Sequence, residues 1–419
     1  MSNTTLRLGK VDQGQTPTDI GKFFTLYHAS LSPALKGKLK FRDEGNSSWR
    51  AFDEVMGHEV KDLQLFLKEA GFMNSGKVDG IFGYKTHAAV RLFQEYIRTV
   101  ENDPSIGTPD GIVGRNTYRF IDQWKREKSP GQQFKCSWAQ SSAAKPSAEF
   151  TEWINLLTKA KNHYLANPHP ILKYLEDYQH PSDTHKIKDW DTSPETIHLI
   201  GIRRNQDMST TRRENDDVFV LLINGLVFKF WGSTDPSQSM AFNFTKNKGR
   251  KDEPFLIEGQ HIYKFGWHKI SDGRKVYRAL KPAKYGVMVF RDRDNNDALT
   301  EADILKGLDE RPNLSINIHW SGKGQSNYSA GCQVIAGQSY INPDGKIINC
   351  SNFASPSYND LSLGKTRGAY NMLTDLLLNF APPKVYTIAY MLSRDETFFL
   401  SNKIDDKTIE GWANSMRNI

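Results

Sequence analysis

The stretch Asp217-Val218-Phe219-Val220-Leu221-Leu222-Ile223-Asn224-Gly225-Leu226-Val227-Phe228-Lys229-Phe230-Trp231 decides the fold of the second half of the chain. Two runs rich in β-branched and aromatic residues flank Asn-Gly, the pair that supplies the positive-φ positions of a tight hairpin turn. Working outward, short runs of the same kind recur at 261–267, 275–280, 285–290, 315–319, 333–335 and 385–392, separated by turn-forming clusters, with a helical pattern near 365–380. The second half is therefore expected to be mainly β.

Upstream the period changes. Val60, Leu63, Leu67 and Ala70 recur at helical spacing and Gly71 closes the pattern; Ala88, Val90, Leu92, Phe93 and Ile97 mark a second helix over 85–98, and 115–124 reads as a third. Between them one phrase occurs twice: Asp79-Gly80-Ile81-Phe82-Gly83 with Thr86, and Asp110-Gly111-Ile112-Val113-Gly114 with Thr117. Asp-Gly makes a tight turn, the apolar pair enters the core, and a polar residue opens the following helix. Residues 126–148 are rich in Lys, Ser, Gln, Ala and Pro and read as a linker. Residues 149–190 read as a helical connector broken at Asn167-Pro168-His169-Pro170. The expected organisation is a segment of open role (1–55), a small three-helix bundle (56–125), the linker, the connector, and a mainly β domain (191–419), a multidomain α plus β chain. Its 419 residues suit two or three domains.

A composition of 25% charged and 38% hydrophobic residues is that of a soluble globular protein, and the net charge of +7 favours a polyanionic partner without choosing one. The longest apolar runs fall far short of the ~20 residues a membrane span needs. Residues 1–24 lack the apolar core of a secretory signal, so synthesis in the cytoplasm without a signal peptide is expected. Three cysteines, Cys136, Cys332 and Cys350, make no disulfide framework and match no zinc spacing.

The densest constellation of reactive side chains is Ile316-Asn317-Ile318-His319-Trp320, a Gly/Ser/Asn-rich loop, then Tyr328-Ser329-Ala330-Gly331-Cys332-Gln333-Val334-Ile335. A histidine closing one strand and a cysteine opening the next can meet across a hairpin. Imidazole beside a thiol promotes the thiolate, and small residues before the cysteine let substrate and backbone amides approach. The bland alternative is a buried cysteine and a core histidine. His268 and His198 lie on expected strands from which either could approach the cleft. Asp292-x-Asp294-x-Asn296 has the opening of a calcium loop, but position six is Asp297 where Gly is demanded and position twelve is Asp303 rather than Glu, so a polar turn is expected there. Lys246-Asn247-Lys248-Gly249-Arg250-Lys251 reads as a basic solvated loop.

His319 followed by Ser329-x-Gly331-Cys332 resembles the catalytic motif of L,D-transpeptidases of the YkuD type over roughly residues 195–345. The resemblance implies a YkuD-like β-sandwich in which Cys332 is the acyl-accepting nucleophile, His319 its base, Gly331 and the Cys332 amide neighbours of the oxyanion, and Ser329 a loop-shaping residue. Trp320, Tyr328 and His268 are the expected substrate contacts. The His-to-Cys interval is shorter than the family commonly shows, and Val334 stands where it often has Arg or Asn, which leaves transfer and hydrolysis both open. Residues 57–125 are similar to the peptidoglycan-binding three-helix module found beside wall hydrolases, with an insertion near 96–108; Asp79, Gly80, Phe82, Gly83, Asp110, Gly111 and Gly114 would be its binding positions. Together the two resemblances imply a cysteine L,D-transpeptidase or L,D-carboxypeptidase that binds peptidoglycan and needs no metal, cofactor or nucleic acid. It would act in the periplasm or on the wall of a target cell, as an antibacterial effector of a type VI secretion machine or a phage-type lysin, with a cognate immunity protein and a secretion-machine component as partners. The rival readings are a non-catalytic wall-binding structural protein, an endolysin of other specificity and, last, a glycan-strand hydrolase.

Overall fold

The structure, a computed structural model, describes residues 4–15, 40–42, 49–127, 136–139, 145–204, 215–237, 252–268, 277–294, 296, 298–327, 329–357, 364–382, 385–394 and 403–419. In the first half, strands β1 (Lys10–Asp12), β2 (Lys40–Arg42), β3 (Trp49–Ala51) and β4 (Asp53–Val55) precede helices α1 (Glu59–Glu69), α2 (Tyr84–Thr99) and α3 (Arg115–Glu127). The three helices lie where the apolar spacing puts them, and their cores meet in edge-to-face rings of Phe66, Phe72, Phe93, Tyr96 and Trp124. Residues 4–15 and 53–55 of the segment of open role are part of this unit. β1 and β4 pair in parallel, Leu6 and Val11 bridge to Val113 and Ile81, and the Asp12 carboxylate accepts from the backbone N–H groups of Val60 and Lys61 at the start of α1. A remote aspartate thus satisfies donors that a helix leaves open at its N-terminus.

The connector forms α4 (Ala148–Ala166), capped by Ser147, and α5 (Pro170–Asp177), broken at the two prolines. Then come β5 (His198–Arg203), β6 (Asp217–Ile223), β7 (Leu226–Ser233), β8 (Pro254–Leu256), β9 (Gly259–His268), β10 (Tyr277–Pro282), β11 (Val289–Arg291), α6 (Glu301–Leu305), β12 (Ile318–Trp320), β13 (Gln333–Ile335), β14 (Ser339–Ile341), β15 (Ile347–Asn349), α7 (Ala369–Phe380), β16 (Thr387–Arg394) and α8 (Asp406–Arg417). The Asn224-Gly225 hairpin forms in register from Ile223↔Leu226 to Asp217↔Gly232, with positive φ at both turn residues.

The expected two-sheet sandwich is corrected to a closed barrel. One sheet runs β13-β12-β10-β9-β16-β5-β6-β7, and β13 pairs again with β7, while β14 and β15 extend from the other end of β7. Closure occurs at Gly232, where a Cβ would collide with the Val334 carbonyl, so only glycine lets the two backbones meet. Phe219, Leu221 and Ile223 point into the barrel with Phe230, Tyr263 and Tyr390; the alternate Val218, Val220 and Leu222 pack outward with residues of α4 and α8. β6 is buried on both faces, which is why its sequence is continuously apolar.

Helices and barrel share one apolar core. α2 lies along α7, and a buried cluster ties them: the Arg91 guanidinium forks onto Asp375 at 2.7 Å through two nitrogens, and Arg278 of β10 reaches the same carboxylate at 2.9 Å. Tyr340 donates to Glu95, and Tyr84 stacks edge-on against Trp267. The 126–148 segment lies partly outside the described residues, but Trp138 within it is buried between Tyr96 and Phe228.

Candidate active site

β12 and β13 do not form the expected hairpin. They lie side by side in parallel, with Ile318↔Gln333, His319↔Val334 and Trp320↔Ile335 opposite one another. Parallel neighbours need a crossover rather than a tight turn, and side-chain anchors guide it: the Asn327 amide donates to Ser233 Oγ and the Asp235 carbonyl, and Asn215 donates to the Gly324 carbonyl. The ladder continues one step before the strands, since the Gln333 N–H donates to the Asn317 carbonyl at 2.9 Å. Gln333 faces the barrel interior, where it accepts from Tyr390. By alternation, Cys332 and Asn317 at the next level, and His319 two residues along β12, face the opposite side together.

The Cys332 sulfur is half-buried; it receives the Asn317 N–H at 3.3 Å and its S–H points to the Ser315 carbonyl at 3.2 Å. Gly331 before it has φ +140° and a Cβ there would lie 2.6 Å from Pro254, so a side chain is excluded by conformation and by space. Ser329 spans the turn: its hydroxyl donates to the Cys332 carbonyl at 2.7 Å and accepts the Gly331 N–H at 3.2 Å.

His319 is buried, and its Nδ1 sits 3.0 Å from the Trp320 carbonyl and 3.1 Å from the Tyr277 hydroxyl. A carbonyl only accepts, so Nδ1 carries the proton and Nε2 is the basic nitrogen. The His268 ring lies 4.3 Å from that of His319, tilted 31° to it, with Asn317 Nδ2 3.4 Å from its Nδ1. Sequence reasoning missed Tyr277, Asn317 and Arg367, whose guanidinium lies over the rings of Tyr277 and Trp320. Their approach depends on pairing across strands that no local pattern reveals.

Other expected residues fall elsewhere. Trp320, expected beside substrate, is completely buried on the interior face of β12; the correction follows from alternation with His319. His198 is buried on β5, where its Nε2 meets the Ser193 carbonyl, and burial lowers its pKa. It belongs to the core. Tyr328, the basic loop 246–251 and Asp297 lie outside the described residues. Cys136 and Cys350 are buried, and burial pushes the Cys136 thiol up to about 12.

The repeated turns of the helical unit are near-copies in bonding. Gln64 accepts from the Asp79 and Gly80 N–H groups and donates to Asp79, the Ile81 carbonyl and Thr86; Gln94 accepts from the Gly111 N–H and donates to Asp110, the Ile112 carbonyl and Thr117. Asp79 and Asp110 also accept from the N–H two residues on. Phe82 is completely buried, and a Cβ on Gly80 or Gly111 would strike Asp12 or His87. Gln64, Gln94, Thr86 and Thr117 are buried and Asp79 and Asp110 half-buried, all bonded within the turns.

Residues 56–98 match a family. Its description is "Putative peptidoglycan binding domain", and the matched segment holds α1, the first turn and nearly all of α2. The chain is thus of mixed α and β structure, with a peptidoglycan-binding-type helical unit ahead of a β-rich part. No curated protein matches the chain. A crystal structure of a fused Zn-dependent amidase/peptidase/peptidoglycan-binding domain-containing protein from Clostridium acetobutylicum aligns at 13% identity over 80% of this chain and 96% of that one, with a TM-score of 0.20.

Among the described residues, one group has oxygen ligands close enough to hold a metal: Asp292, Asp294 and Asp303, within 4.8 Å of one another. Asp303 is engaged in a capping box with Thr300 at the start of α6 and accepts from the Arg293 N–H. Burial works to raise its pKa, but these hydrogen bonds and Lys306 hold it below the usual value. Among the described residues no helix is long and apolar enough to cross a membrane.

Proposed function

We propose that the protein modifies peptidoglycan by acyl transfer through Cys332, as an L,D-transpeptidase or L,D-carboxypeptidase. The observation that carries this is a half-buried thiol on the same face of adjacent parallel strands as an imidazole whose Nδ1 is held by a backbone carbonyl. Nε2 of His319 takes the thiol proton, and the sulfur attacks the carbonyl of the residue preceding a D-amino acid in a stem peptide. The scissile carbonyl oxygen gathers charge over the Gly331–Cys332 turn, which can approach closely because Gly331 has no Cβ. His319 returns the proton to the departing amine and the D-residue leaves. The thioester then passes to an amine, which forms a new peptide bond, or to water, which trims the stem; either way the thiol is regenerated. Asn317 and Ser329 hold the thiol turn in place, and His268 lines the approach to His319. The family match of residues 56–98 supports the wall as the place of action.

The test is mass spectrometry of muropeptides after incubation with the protein and with Cys332→Ala. New crosslinks, exchanged D-residues or trimmed stems in the first sample alone are expected; identical profiles overturn the reading in favour of a non-catalytic wall-binding protein. An antibacterial role, with delivery by a secretion machine and a protecting partner in the producer, follows from the same reading. Periplasm-directed expression is then expected to lyse a susceptible bacterium, and lysis that persists with Cys332→Ala would contradict it.

A further inference from the structure

The glutamines and aspartates of the two turns are bonded within the fold, and the helical unit offers a second surface away from them. A groove between α1 and α3 encloses about 200 Å³ and is lined by Asp62, Leu65, Phe66, Glu69, Trp124 and Lys125. Four of these come from one face of α1 at spacings of three, four and seven residues, within the segment that matches the peptidoglycan-binding family. α1 is amphipathic: Val60, Leu63, Phe66 and Leu67 are buried, yet Leu65 is 49% exposed at the groove. The floor is Phe66 against Trp124, edge to face at 6.4 Å, and Lys125 holds its ammonium 5.8 Å from the Phe66 ring centre. Asp62 and Glu69 stand two helical turns apart, roughly 10 Å along the axis, about the length of an extended tripeptide.

We propose that this groove is a subsite for the stem peptide of peptidoglycan and selects stems carrying a free amino group on a diamino acid. The inference rests on the wall-binding reading of the helical unit. In a protein of net charge +7, a groove with a carboxylate toward each end is complementary to a cationic group, while Lys125 meets the carboxylate of the same zwitterionic peptide. The Phe66–Trp124 floor and Leu65 suit the short apolar side chains of its neighbours. A glycan strand is the poorer fit: its N-acetylated sugars are uncharged and ask for a longer aromatic shelf than this groove offers.

The experiment is co-sedimentation of the full chain with purified sacculi, comparing the unaltered protein with Asp62→Asn/Glu69→Gln and with Leu65→Gln, and with thermal melts to show that each variant folds. Competitors are a soluble disaccharide-tripeptide containing meso-diaminopimelate, the same compound with its amine acetylated, and peptide-free glycan strands. At least fivefold weaker retention of both variants is expected, with displacement by the amine-bearing muropeptide alone. If the unaltered protein does not sediment, the wall-binding reading fails and the inference with it. If it sediments and both folded variants sediment equally well, the groove is overturned and the reading stands. Displacement by peptide-free glycan, or equally well by the acetylated compound, overturns the choice of an amine-bearing stem.

Discussion

Two kinds of glycine-bearing turn carry the recognisable motifs of this chain, and they treat polar groups in opposite ways. In the turns at 79–83 and 110–114, an aspartate and a buried glutamine from a neighbouring helix bind one another and the turn's backbone, and nothing reactive faces outward. In the turn at 329–332, Ser329 fastens the backbone in the same way, but the next side chain is a half-buried thiol on the same face as a histidine pair. A repeated motif with closed bonding marks architecture. A single motif with a reactive atom left half-exposed is what the proposed chemistry requires.

The sharpest way to break this contrast is to mutate, for each turn, the residue that gives it its character. Cys332→Ala is expected to abolish wall modification, by about three orders of magnitude or more, and to leave the melting temperature within a degree or two, because the sulfur is half-exposed and its removal leaves no large cavity. Gly331→Ala should damage both properties. The positive φ and the contact with Pro254 cost about 2 kcal/mol, and the displaced sulfur loses roughly a hundredfold in rate for a shift of about 1 Å. Melting and muropeptide turnover measured on the same samples check both. Gln64→Leu is expected to do the reverse. It leaves the Asp79 and Gly80 N–H groups without their acceptor and should destabilise the helical unit by about 2–3 kcal/mol, read by urea denaturation, while the thiol's turnover per folded molecule stays within twofold. Equal loss of activity in Gln64→Leu would show that helices and barrel work as one device, coupled through Arg91, Asp375 and Arg278.

What the sequence disclosed follows the same line between local and remote. The helices, the Asn-Gly hairpin and the repeated turns are written within a few residues, so their patterns suffice. Cys332 and His319 were legible as a pair because each sits at the end of a strand-like run. Their parallel arrangement was not, since a twelve-residue gap serves a hairpin or a crossover, and Asn327 decides the matter through bonds to Ser233 and Asp235 almost a hundred residues away. Barrel closure at Gly232 and Val334 is equally remote. The β14–β15 extension left no clear periodic trace, whereas α8 carries Ile409, Trp412, Ala413 and Met416 at helical spacing behind the Asp405 cap, a signal too short to stand out beside the strands around it. The groove between α1 and α3 was hidden for a simpler reason: Asp62, Leu65 and Glu69 read as the solvent side of an amphipathic helix until Trp124 and Lys125 are laid beside them.

The smallest expected effect separates the barrel's own histidines from those near the thiol. His261 is completely buried on β9, its Nε2–H donating to the Ile257 carbonyl and its Nδ1 accepting from Thr184, and burial pushes its pKa down to about 3. In the unfolded chain the same imidazole titrates near 6.5. Between these values the unfolded state binds the extra proton, so stability falls as pH falls, starting near 6.5, and is fully present above it. Each pH unit costs up to about 1.4 kcal/mol, so about 2 kcal/mol is lost from this group by pH 5. His261→Gln should be less stable at neutral pH yet show a shallower decline from pH 7 to 5 in urea midpoints. His268→Gln, at a histidine whose ring lies against His319, should instead lower wall modification per folded molecule while leaving the His261 hydrogen bonds in place. An unaltered stability slope in His261→Gln would mean that the charged imidazole finds a partner inside the barrel, and the division between a sealed interior and a reactive outer face would have to be redrawn.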